Sequence, residues 1–174
     1  LRAEQTEAPG AASPVAALGD VLLAAAIGIT VASLGAPVSL LEKGRLALGC
    51  LCVPALGYAA FCRMKGRPVF FGCFGAVCVF FTLYLVGAYR HWSSNPQLQD
   101  YVFAMLACVA VTIFAYQNTA REVASGSRKG RLASGLLAVA FGIGAVPRAD
   151  HPLLCLAVAL WALTGLLAEK NGEH

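Results

Sequence analysis

Apolar residues in this chain come in long unbroken runs, and charged residues stand between the runs. Six charge-free stretches, Val21–Leu41, Leu46–Cys62, Pro68–Tyr89, Tyr101–Ala120, Leu132–Pro147 and Pro152–Ala168, are 16 to 22 residues long. A helix needs about 20 residues, within a range of about 17–25, to cross the hydrocarbon layer of a bilayer. The first run extends back to Pro14 if Asp20 is taken inside it. The fifth is short. It fits only if Arg131 and Arg148 carry their charges outward on their aliphatic stems, or if neighbouring helices shield it. The third run, PVFFGCFGAVCVFFTLYLVGAY, lacks the polar stripe at a 3.6-residue period that a water-soluble helix shows. Strands fail on length and on alternation.

The pattern predicts an all-α polytopic membrane protein, a bundle of six transmembrane helices in one domain over residues 14–170. The spans fall near 14–41, 46–62, 68–89, 101–120, 132–147 and 152–168, with a polar N-terminal tail over 1–13 and a C-terminal tail over 171–174. The first run reads as a retained span or anchor, not as a discarded leader.

Composition agrees. The 174 residues are 59% hydrophobic and only 13% charged, against about 25% charged in an ordinary soluble domain. That excludes a disordered chain, a collagen-like fibre and a conventional water-soluble enzyme. Lys and Arg in short loops set topology. If the spans alternate, one side holds Arg2, Arg63, Lys65, Arg67, Arg121, Arg128, Lys129, Arg131 and Lys170, and the other holds Lys43, Arg45, Arg90 and Arg148. Nine against four places both termini in the cytoplasm. The loop bearing Arg121, Arg128, Lys129 and Arg131 then faces anionic lipid headgroups. The net charge of +4 is accounted for by topology, and no nucleic-acid motif accompanies it.

A second pattern runs at half the chain length. Lys43-Gly44-Arg45-Leu46-Ala47-Leu48-Gly49 recurs as Lys129-Gly130-Arg131-Leu132-Ala133-Ser134-Gly135, an offset of 86 residues. With three spans per half, the second half inserts upside down, as in the inverted repeats of many secondary transporters. Residues 21–89 would then superpose on 101–168. A ligand would sit near mid-membrane, with Pro54, Tyr58, Gly142 and Gly144 brought to the centre. Tyr58 would be its main polar contact, and Thr82 and Thr112 partners from neighbouring spans. The competing account is coincidence in a chain rich in Leu, Ala and Gly. Pro and Gly also serve helix packing, as do the small-residue faces Ala24-x-x-x-Gly28 and Ala140-x-x-x-Gly144.

Candidate chemistry is sparse. Asp20 lies nearest a span and reads as the N-cap of a helix starting at Val21; inside the bilayer it would instead mark a ligand or ion site. The seven cysteines, Cys50, Cys52, Cys62, Cys73, Cys78, Cys108 and Cys155, include no Cys-x-x-Cys pair, and they read as reduced packing residues. His91, His151 and His174 lack a partner at helical metal-binding spacing, so no metal and no cofactor is expected. Tyr84, Tyr89, Trp92 and Tyr101 read as an interfacial aromatic belt. Three function classes remain. The first is a small-solute transporter or substrate-capturing membrane subunit, binding a small molecule. The second is a non-catalytic structural or accessory subunit partnered by other membrane subunits. The third is a lipid- or quinone-directed membrane enzyme, which lacks the clustered Asp, Glu, His or Cys it would need. Membrane lipids are partners in every case.

Overall fold

A computed structural model describes residues 13–33, 39–92, 101–123, 127–147 and 149–171. The tails before Ser13 and after Asn171, together with Asp100, Gly126, Arg148 and the side chains of His91, Trp92 and Lys170, lie outside the described residues. Among those residues the chain forms six α-helices: α1 Pro14–Ser33, α2 Leu40–Met64, α3 Gly72–Trp92, α4 Val102–Glu122, α5 Arg128–Ala145 and α6 Pro152–Asn171. Four of them, α1 to α4, are long and apolar enough to cross a membrane, and α6 carries a shorter apolar stretch, Pro152–Ala168. Helix α5 falls short because Arg128, Lys129 and Arg131 occupy its first turn.

Local chemistry sets the helix ends. Ser13 accepts the Ala16 amide at 3.4 Å through Oγ and the Ala17 amide at 3.2 Å through its carbonyl, and Pro14 fills the first helical position. The first helix therefore starts seven residues before Val21, which removes Asp20 from the cap and puts it in the second turn. A capping box starts α2: Ser39 Oγ accepts the Glu42 amide at 3.2 Å, and Glu42 Oε2 accepts the Ser39 amide at 3.0 Å. That start draws Lys43 and Arg45 into the helix. A Schellman closure ends α2. Gly66 at φ 63° donates to Arg63 O at 3.4 Å, and Arg67 donates to Cys62 O at 2.9 Å. Only glycine takes that left-handed conformation without strain.

Each helix packs on the next in sequence, and α6 returns to α1, so the six close into a ring; α4 also touches α6 more lightly. Neighbours run antiparallel. The Ser13 amide at the start of α1 donates to Arg63 O at the end of α2, at 3.1 Å. The interior is filled by Leu23, Ile27, Leu56, Phe74, Val77, Val111, Phe114 and Trp161, each at most 1% exposed. The outside is apolar too: Leu18, Ile29, Leu51, Phe61, Phe103, Leu136, Ile143 and Leu153 are all exposed. A bundle apolar on both its inner and outer faces suits hydrocarbon, not water, which is compatible with an integral membrane location.

The internal echo is followed unevenly. Helices α1 and α4 start 88 residues apart, as do α2 and α5, but α3 and α6 start 80 apart. The two copies of the motif also do different things: Arg45 packs on α3, and Arg131 on α4.

Two glycines let α5 approach α6, Gly135 against the Leu166 side chain and Gly142 against backbone. A Cβ on Gly142 would lie 3.1 Å from both Ala159 Cβ and the Cys155 carbonyl oxygen. Backbone cannot swing aside. Gly142→Ala is expected to cost about 1–3 kcal/mol as the helices part. Gly57→Ala meets nothing within 4 Å and is expected to be neutral or stabilising. Unfolding in detergent compares the two; equal effects would contradict this packing.

Candidate functional site

The buried stripe of α1 runs Ala16, Asp20, Leu23, Ile27 and Thr30, so its spacing turns Asp20 toward the core. Asp20 is 0% exposed. Arg63, in the last turn of α2, lies with Nη1 3.0 Å from Asp20 Oδ1 and 3.0 Å from Oδ2. Trp161, midway along α6, donates Nε1–H to Asp20 Oδ1 at 2.8 Å. The guanidinium in turn covers the Phe74 ring of α3, with Cζ 4.8 Å from the centroid. Trp161 is packed edge-on against Phe114 of α4, centroids 5.0 Å apart, and lies 6.3 Å from Phe74. One carboxylate thus ties α1 to α2 and α6, and the rings around it reach α3 and α4. A charge in hydrocarbon costs about 2.5–3.5 kcal/mol even on lenient scales, and here charge pairing and a directed N–H offset it.

A second polar group lies at the other end of α2. Arg45 places Cζ 4.8 Å over the Tyr84 ring. His151, in the connection before α6, presents its ring edge-on to the same tyrosine at 6.3 Å. Behind Tyr84 a cavity of about 20 Å³ lies between α3, α4 and α6, with Phe81, Cys108, Asp150, Leu154 and Cys155 in its lining. Arg45 and Arg63 are 18 residues apart on α2, about 27 Å of rise, while Tyr84 and Phe74 are 10 apart on α3, about 15 Å. Both arginines therefore lean inward along α2 onto aromatic faces, the opposite of snorkelling.

Burial lowers the His151 imidazole from its ordinary 6.5; Asp150 opposes this, and Arg45 adds to it. The unfolded chain then binds the proton more tightly. Stability linked to this residue is complete above pH 6.5 and is lost as pH falls through the lower folded value. Between about pH 7.5 and about pH 5 the melting midpoint of the wild type should fall further than that of His151→Gln. Parallel curves would dismiss the linkage.

The residues expected to meet at mid-membrane do not. Tyr58 is 53% exposed on the outer side of α2. Pro54 is exposed on the same side, and α2 runs through it. Thr82 is exposed and Thr112 half-buried; both hydroxyls donate back one turn, to Cys78 O at 2.9 Å and Cys108 O at 2.7 Å. A threonine satisfied by its own helix has no need of an inward partner. Gly142 faces α6, and Gly144 would place a Cβ 3.6 Å from Phe103 of α4, so both serve packing.

Of the four basic residues assigned to headgroups, Arg121, Arg128 and Lys129 are exposed. Arg131 is the correction. It is 6% exposed and donates from Nη1 to Asn118 Oδ1 at 3.1 Å, joining α5 to α4. Arg131 falls on the buried stripe of α5 with Ser134, Gly135 and Ala138, where Asn118 of α4 supplies the acceptor.

Sequence reasoning missed Arg63, Trp161, Arg45 and Asn118 as interior polar residues. Trp161 did carry a signal, since a tryptophan at mid-span lies away from the interfacial belts where that residue concentrates. Among the described residues no three of His, Cys, Asp or Glu come together as a metal-holding group, and all seven cysteines are unbonded. No protein family, no curated protein and no solved structure matches the chain.

Proposed function

We propose that the chain is a six-span integral membrane protein with both termini in the cytoplasm, and that it is a small-solute transporter, or the substrate-capturing membrane subunit of one. The observation that carries this reading is Asp20: a fully buried carboxylate on an apolar helix, held by Arg63 of α2 and Trp161 of α6. Ionisable groups in such positions mark solute and ion pathways because their cost in hydrocarbon must be offset by use. In the proposed orientation this ion pair lies toward the cytoplasmic end and holds it shut. The cavity behind Tyr84 lies toward the opposite end, so the molecule is loosest where a solute would enter from outside. The three-plus-three inverted arrangement belongs to the same proposal, with α1–α3 and α4–α6 as its halves.

The test is uptake by the full chain in proteoliposomes, using a radiolabelled panel of amino acids, sugars, nucleobases and vitamins. Saturable uptake of one class, changed by about tenfold or more in Asp20→Asn (about 1.4 kcal/mol), is the expected result. Absence of saturable uptake for every class overturns it. The accessory-subunit reading is favoured by a different observation, the small cavity behind Tyr84, since about 20 Å³ admits no solute beyond a water or an ion. A stoichiometric membrane partner in a native purification is its signature.

A further inference from the structure

We propose that Cys108 of α4 and Cys155 of α6 form a two-thiolate site for a soft monovalent cation of the Cu(I) and Ag(I) class. Both residues line the cavity behind Tyr84. They approach it from two different helices. Neither is bonded to another cysteine. The cavity they line is about 20 Å³, and about 10–15 Å³ already accommodates a water molecule. A space of that size with two cysteines in its wall suits a single ion held in two-coordinate fashion.

The rest of the lining selects the ion. Phe81, Val111, Leu154 and Val158 offer no donor atoms, and the polar members Tyr84 and Asp150 are too few for a hard cation. Ca²⁺ takes six to eight oxygen ligands, and Mg²⁺ demands an octahedron. Zn²⁺ prefers four ligands; Asp150 lines the same cavity, but among the described residues no three of His, Cys, Asp or Glu are grouped to hold a metal ion. Soft thiolates suit Cu(I), zinc and iron–sulfur clusters, and of these the last two call for about four ligands, which leaves Cu(I) for a pair.

Charge balance is supplied locally. Binding converts two thiols and one monovalent cation into an anionic bis-thiolate complex with release of two protons, and no electron is exchanged. Arg45, whose guanidinium covers the Tyr84 ring in the cavity wall, supplies a positive charge beside the single negative charge formed. The buried Arg45 Nε has no hydrogen-bond partner, so this side chain has capacity to spare. Asp150 and His151 stand by the cavity, where the released protons meet water. The pair escapes a sequence search because its ligands come from different helices, 47 residues apart.

The site is independent of the Asp20 reading and is tested separately. The purified full chain is titrated anaerobically with Cu(I) in competition with a chromophoric chelator. The expected result is one Cu(I) per chain, with a two-sulfur environment by X-ray absorption. Changes beyond the ligands alone cost 10–100-fold in metal affinity, so Cys108→Ser is expected to weaken binding by about 100-fold or more. Cys155→Ala, at a half-buried position, gives the same readout if the serine variant does not fold. Cys50→Ser and Cys62→Ser are expected to bind as the wild type does. Failure of the wild type to hold Cu(I) against the chelator, or binding retained in a folded Cys108 or Cys155 variant, overturns the proposal.

Discussion

Asp20→Ala is expected to destabilise the folded bundle by about 3–5 kcal/mol, the range for breaking one side of a buried ion pair. The substitution leaves Arg63 Nη1 without its carboxylate and Trp161 Nε1–H without its acceptor. Arg63 has some means of escape, because its side chain is 16% exposed and its stem is flexible. Asp20 has none, being 0% exposed on a short side chain. Arg63→Ala should therefore cost at least as much as Asp20→Ala. Asp20→Asn should cost less than either, since an amide oxygen still accepts from Trp161. The double variant Asp20→Ala/Arg63→Ala should fall well short of the sum of the singles, because neither charge is then stranded. Unfolding free energies in bicelles or mild detergent give the four values. Additive singles would mean that the two side chains are neighbours without being coupled, and the argument for a working ion pair would go with them.

The helical architecture was legible because each run's length and lack of polar periodicity are properties of the sequence itself. Four of the six runs became helices long and apolar enough to cross a membrane, α1 to α4. The fifth run was marginal on length, and the fifth helix is the one whose first turn is basic. What could not be read was direction around each helix. In a water-soluble helix the polar face declares which side is out. Here both sides are apolar, so nothing local set the facing of either residue: Tyr58, expected at the centre, is outside, and Trp161, given no role, is inside.

Asp20 shows the same difficulty in a sharper form. Its reading turned on where α1 begins, and two local signals competed. The charge at Asp20 suggested a start at Val21, while the apolar run itself extends back to Pro14, six residues before Asp20. Capping chemistry prevailed, because a serine N-cap followed by proline satisfies the helix start without using the acid. Asp20 then fell on the buried stripe with Leu23 and Ile27. Arg63 was counted only as a topological charge, since its partner lies 43 residues away and no local pattern links them.

Trp161→Ala is expected to be the other large loss, about 3 kcal/mol. That is the low end of the range for removing a buried tryptophan, because lipid is as apolar as the core and little transfer energy is at stake. What remains is packing. Trp161 is 1% exposed and stands among Phe74, Phe114 and Asp20, which belong to α3, α4 and α1. No neighbour can fill the void without one of those helices moving, and a cavity that cannot collapse forfeits its contacts outright. Trp161→Phe separates the two roles of the side chain. It keeps most of the volume and removes only the N–H to Asp20, so it should cost about 1–3 kcal/mol, the range for a buried acceptor left short of one donor. In an Asp20→Ala background the phenylalanine change should cost much less, since the acceptor is already gone. Equal costs for Trp161→Phe in both backgrounds would show that the indole serves packing alone, and that the carboxylate is held by Arg63 without it.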